Sequence, residues 1–106
     1  MNGFQITFFT QQDRRHHGKL LTQWLMEQAK AMDIHGATMI GATEGFGHHG
    51  RFHSVHFFDM ADQPVEIVMA VTVEEADRLF ALLRSEKIRI VYAKTPVEFG
   101  ILGEEE

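Results

Sequence analysis

The stretch from Gly41 to His56 holds four of the chain's nine glycines, four of its seven histidines and Arg51 within sixteen residues. A plain hairpin turn needs only one or two glycines to supply positive φ. Gly45, Gly47 and Gly50 alternate with cationic and titratable side chains, which describes a backbone that lets a ligand come close. An anion suits such a loop, because free N–H groups can cradle it and a guanidinium such as that of Arg51 can add a bidentate contact. The plainer reading is a glycine-rich hairpin with a solvent-exposed arginine. Glu44, the carboxylate beside the loop, either accepts from a ligand hydroxyl, pairs with Arg51, or sits at a strand end in solvent.

Two further groups carry chemistry. His17-Gly18-Lys19 stands where the first helix is predicted to begin, so unpaired N–H groups and the Lys19 charge would meet there. In the plainer reading Gly18 eases the chain into the helix and Lys19 is solvated. His48, His49, His53 and His56 form the histidine cluster, and imidazole suits Zn, Cu or Ni. His53 and His56 are three apart, so a regular strand sends them to opposite faces. His48 and His49 are loop residues that can reach a site with His53. A trimer could instead join three copies of one histidine on its axis, and the alternative is a set of exposed loop histidines.

Composition narrows the classes. The chain has 106 residues, a net charge of −5 and dispersed positive residues, which argues against general nucleic-acid binding while leaving room for one nucleotide in a local positive pocket. With no cysteine, disulfides, Cys-based zinc sites and thiol catalysis are excluded. No G-x-S-x-G, H-E-x-x-H or P-loop pattern occurs, so the chain reads as a binding module and not an enzyme. The start lacks a basic and then apolar leader, and no apolar run approaches the roughly 20 residues of a membrane span. The expectation is a cytoplasmic protein of one domain, residues 1–106, without membrane insertion and with a loose tail from about residue 100.

The elements that must position these residues follow from periodicity. Phe4 to Phe8 alternates apolar and polar residues as a half-buried strand does, with Phe4, Ile6 and Phe8 on one side and Gln5, Thr7 and Phe9 on the other. Gln11 to His17 reads as a loop. Gly18 to about Asp33 reads as a helix with Leu21, Trp24, Leu25, Gln28 and Met32 along one face, stopped by Gly36. Ala37 to about Glu44, Phe52 to Met60 and Val65 to Val71 read as strands, with Asp59 and Asp62 as turn formers. Thr72 and Glu75 form a capping box, and Ala76, Leu79, Phe80 and Leu83 are the buried stripe of a second helix ending near Lys87. Arg89 to Ala93 is a last strand, extended by Lys94 to Phe99. The order is β-α-β-β-α-β, an α+β ferredoxin-like fold with two helices on one face of an antiparallel sheet. The other face carries Phe9, Val68 and Ala70 among Gln5, Thr7 and Glu66, and a half-apolar open face favours an oligomer.

Within that frame, Gly45-Phe46-Gly47 closes the second strand, and there the chain resembles the PII signalling proteins at the foot of their T-loop. It is more similar to a sister family of PII-like proteins of unknown function. The pattern runs through His17-Gly18-Lys19-Leu20, Gly36-Ala37-Thr38, Glu44-Gly45-Phe46-Gly47 and Arg51-Phe52-His53 to the capped second helix. It covers roughly residues 4 to 95.

The resemblance implies a homotrimer whose open sheet faces line a central barrel. It also implies ATP, ADP or AMP bound near the subunit interface, and a loop that reports occupancy to a partner protein such as a transporter. The chain departs from the PII pattern in three places. Arg84-Ser85-Glu86-Lys87-Ile88 stands where PII proteins have a glycine-rich phosphate turn, Pro64 stands for a phosphate-binding lysine, and the T-loop shrinks to about His48 to Arg51. The functional expectation is a regulatory sensor of a small anionic ligand at Glu44, Gly45, Phe46, Gly47 and Arg51, with Gly18 and Lys19 nearby. The alternative is a trimer that binds Zn or another divalent metal through His48, His49 and His53. An assembly protein without a ligand is the third reading.

Overall fold

The computed structural model of the chain describes residues 1–42, 44–46, 52–54 and 63–104, with 44–46 and 52–54 as backbone. The elements are β1 (Asn2–Gln11), β2 (Arg15–His16), β3 (Lys19–Leu20), α1 (Leu21–Ala31), β4 (Ala37–Gly41), β5 (Glu44–Phe46), β6 (Phe52–Ser54), β7 (Pro64–Thr72), α2 (Val73–Ser85) and β8 (Val91–Glu98). Four of the strands form one sheet in the order β4-β7-β1-β8, antiparallel at every pairing. This is the ferredoxin-like arrangement that the element order predicts.

Strand alternation decides which face is covered. Ile6 and Phe8 of β1 and Val65, Ile67, Met69 and Val71 of β7 are buried, and the register sets Ile6 opposite Met69 and Phe8 opposite Ile67. Leu21, Trp24, Leu25 and Ala29 of α1 and Ala76, Leu79 and Leu83 of α2 close over that face to make one core. The stripe predicted for α2 holds, with Phe80 only partly buried at its border. In α1, Ala29 and Thr22 are buried, and Met32 lies at the core's margin.

The opposite face is open. Ile40, Glu66, Phe9 and Val91 make one row across all four strands, and Ile40, Phe9 and Val91 are 44%, 40% and 43% exposed. Val68 and Ala70 are half-buried on the same side.

Several boundaries differ from expectation for local physical reasons. The first helix begins at Leu21, not Gly18, because residues 15–20 form a small hairpin of β2 and β3. No side chain caps that start; the Leu21 N–H donates instead to the Arg14 carbonyl at 2.8 Å. Gly36 does not stop the helix. Asp33 takes the left-handed position at φ 60°, and the Asp33 and Ile34 N–H groups return to the carbonyls of Lys30 and Ala29, a Schellman turn sealed by buried Ile34.

The second helix ends the same way, with Lys87 at φ 56° and the Lys87 and Ile88 N–H groups bonded to the Arg84 and Leu83 carbonyls. Its start is the predicted capping box, Glu75 N–H to Thr72 Oγ1 at 3.1 Å and Thr72 N–H to Glu75 Oε1 at 2.8 Å. Such a cap contributes about 1 kcal/mol.

The predicted second strand is split into β4 and β5, and the last strand runs on through the residues expected as its extension. Of the predicted strand from Phe52 to Met60, Phe52–Ser54 forms β6 and pairs with β5 outside the main sheet. The rest, with Asp59, lies outside the described residues, as does Asp62. After β8, the Phe99 N–H donates to the Met1 carbonyl at 2.8 Å, and a turn closes from Ile101 to Glu104.

Candidate functional site

The glycine-rich stretch springs from one end of the sheet. The Ala42 N–H donates to the Pro64 carbonyl at 2.8 Å and the Gln12 N–H to the Gln63 carbonyl at 2.9 Å. Gly41 belongs to this root because a Cβ there would meet the side-chain amide of Gln63. Beyond it, β5 and β6 pair Glu44 with Ser54, Gly45 with His53 and Phe46 with Phe52. The backbone thus brings Gly45 and His53 side by side. Gly47, His48, His49 and Arg51 lie outside the described residues.

Gly18 and Lys19 are placed differently from expectation. Gly18 has φ 81° and turns the β2–β3 hairpin, and the Arg15 guanidinium donates to its carbonyl at 3.2 Å. Lys19 stands in β3, ahead of the helix that starts at Leu21. The Lys19 ammonium donates to Glu27 Oε2 at 2.9 Å, and Gln23 donates to the other Glu27 oxygen at 3.1 Å.

The Lys19 contact, with smaller help from Gln23, holds the Glu27 carboxyl below its ordinary value of 4.5. A lowered folded value means that this contact stabilises the fold above the ordinary value and fades as pH falls through the lowered one. In Lys19→Met, the Glu27 titration midpoint followed by carboxyl NMR is expected to rise toward the ordinary value. An unmoved midpoint would exclude Lys19 as the cause.

Sequence reasoning missed a cluster that joins this hairpin to the far end of α2. The Nε2–H groups of His16 and His17 both donate to Oε1 of Glu86, at 2.9 and 3.0 Å. Glu86 is the C-cap residue of α2, aimed by the left-handed Lys87 behind it. His16 packs its ring edge-on to Trp24 at 4.7 Å and against His17 at 4.1 Å. His17 itself is left-handed at φ 51°. The His16 bond, and then the His17 bond, hold the Glu86 carboxyl below the usual carboxylate range. Arg14 adds a second tie across the same gap by donating to the Arg89 carbonyl. The signal in the sequence was the doublet His16-His17; its partner stands some seventy positions away.

A second missed feature is a cleft of about 300 Å³ between α2 and β8, lined by Asp77, Phe80, Arg84, Tyr92 and Lys94. Lys94 lies opposite Ile6, so alternation turns it to the helix side. Its ammonium sits 4.2 Å from the Phe4 ring centre and 5.3 Å from that of Phe80. Tyr92 meets Phe80 edge-on at 4.9 Å. Aromatic faces with two cations beside them suit a flat or anionic ligand. No helix of the described residues is long and apolar enough to cross a membrane.

Comparison with known proteins agrees with this architecture. The profile of the DUF190 family, described as Uncharacterized ACR, matches residues 3–96. No curated protein matches the chain. Among solved structures, the chain is similar to CPII, a nitrogen regulatory PII-like protein from Thiomonas intermedia K12 bound to ADP, AMP and bicarbonate. The TM-score there is 0.71 at 17% identity, over 95% of this chain and 91% of that one. The same protein bound to ADP and bicarbonate gives 0.69 at 18% identity, over 95% and 91%. A candidate PII-like signaling protein from Thermus thermophilus gives 0.67 at 20% identity, over 91% of this chain and 87% of that one.

Proposed function

Because the chain belongs to the DUF190 family, of PII-like fold, we propose that it is a regulatory protein that binds an adenine nucleotide and reports this to a partner protein in the cytoplasm. The ligand, ATP, ADP or AMP, sits at Glu44, Gly45, Phe46, Gly47 and Arg51, near the contact between copies of a homotrimer. The observation that carries the reading is the β5–β6 hairpin. It pairs outside the main sheet and, among the described residues, Ala42, Gln63 and Pro64 tie its root to β7. A glycine-rich backbone can bring its N–H groups close to an anion. CPII, similar in fold, is bound to ADP and AMP.

No catalytic role is assigned. The regulatory output is a change in the surface that the ligand-bound protein presents to the partner. Arg51→Ala is expected to weaken ADP or AMP binding roughly ten- to hundredfold, the range that follows from losing a charged hydrogen bond. Isothermal titration of the full chain measures it. Unchanged affinity would move the site away from Arg51, and a natural chain that binds no adenine nucleotide would remove this ligand class.

A further inference from the structure

We propose that His16, His17 and Glu86 form a binding site for a divalent transition-metal ion, which would bolt the β2–β3 hairpin to the end of α2. Two imidazole nitrogens and one carboxylate oxygen lie within 4.8 Å of one another. Zinc bonds of about 2.0–2.1 Å to nitrogen and oxygen put the ligands of a tetrahedron roughly 3.3 Å apart. The two Nε2···Oε1 separations are 2.9 and 3.0 Å, so each would open by about 0.3 Å to take ligands at that spacing. Each imidazole would then carry its proton on Nδ1 and offer the Nε2 lone pair.

The surroundings favour a bound ion over a chance contact. His16 is oriented by Trp24 and its side chain is only 15% exposed, so one ligand is preset by the core. Glu86 is fixed by the Schellman turn at the end of α2. His17 is 69% exposed, which leaves the outer side of the site open to water as a further ligand. Its backbone is left-handed, a conformation histidine adopts more readily than most residues, and its ring lies 4.1 Å from that of His16. Two imidazoles and a carboxylate suit Zn²⁺ and its neighbours better than Mg²⁺ or Ca²⁺, which prefer oxygen alone. None of the three ligands is a histidine of the glycine-rich segment, and the proposal does not depend on the nucleotide reading.

The test is a titration of the chelator-stripped full chain with Zn²⁺ alone, without nucleotide, in four forms. They are the natural chain, Glu86→Gln, His17→Asn (which tolerates the left-handed backbone), and the triple variant His48→Ala, His49→Ala, His53→Ala. The expected result is at least one ion per natural chain and tenfold or weaker binding in both Glu86→Gln and His17→Asn. The triple variant should keep the site, and Zn²⁺ should raise the melting temperature of the natural chain but not of Glu86→Gln. Melting without metal shows that each variant is folded, and because His17 is exposed its variant is informative even if Glu86→Gln is not. Undiminished affinity in His17→Asn, loss confined to the triple variant, or no Zn²⁺ binding by the natural chain would overturn the proposal. Nucleotide titrations do not enter any of these outcomes.

Discussion

Phe8→Ala is expected to lower the unfolding free energy by about 3–5 kcal/mol, the range for truncating a buried aromatic residue. Phe8 is fully buried, faces Ile67 on one neighbouring strand and Tyr92 on the other, and lies 6.0 Å from the Phe80 ring. Removing its ring takes contacts from both layers at once, at the middle strand pair of the sheet. A domain of this size commonly holds about 5–15 kcal/mol in total, so the variant loses a large share. Urea unfolding followed by circular dichroism, at one fixed protein concentration, should show an earlier midpoint with an unchanged slope. A loss below about 1 kcal/mol, against that expected range, would mean that the sheet and helices are not packed around this ring.

Phe9→Asp, one residue on, is expected to act on association and not on the core. Phe9 is 40% exposed on the open face, in the row with Ile40, Glu66 and Val91. Within one protomer, a carboxylate opposite Glu66 costs at most about 1 kcal/mol. In the proposed trimer the same carboxylate would be buried without a partner, which costs about 3–5 kcal/mol and weakens each contact by roughly two to four orders of magnitude. Sedimentation velocity at micromolar concentration should show a trimer for the natural chain and protomers for the variant, with the far-ultraviolet spectrum preserved. A variant that sediments as the natural chain does would remove the open face from the interface.

The contrast between these adjacent phenylalanines was legible in the sequence. A period of two is a strong constraint when one face is buried, because a slip by one residue would exchange Phe8 for Phe9. The Thr72–Glu75 box was legible for a similar reason, since both partners lie within one turn. The start of α1 was not. It has no side-chain cap, and a polar segment followed by glycine fits a helix entrance as well as the hairpin that is found. Gly36 looked like the stop, yet Asp33 tolerates the left-handed position and Ile34 gains burial by ending the helix earlier.

The site was legible in part. Composition marked the glycine-rich segment, and the backbone makes it a separate hairpin. The pairing of His16 and His17 with Glu86 rests on two turns distant in the chain, and no local pattern encodes such a meeting. Lys94 is a related case. A lysine at an inward position of an edge strand contradicts simple alternation, and its resolution by the Phe4 and Phe80 rings needs the tertiary arrangement.

The register of β1 also bears on the birth of the molecule. Its two partners are β7 and β8, both made long after it on the ribosome. This strand, with Ile6 and Phe8 destined for the core, therefore waits for both its partners while α1, β4 and the glycine-rich segment emerge. Closing so long a loop is entropically slow and leaves apolar strand exposed in the meantime. Folding of the nascent chain is thus gated by its late strands: a ribosome stalled before residue 64 would hold a β1 with neither of its neighbours.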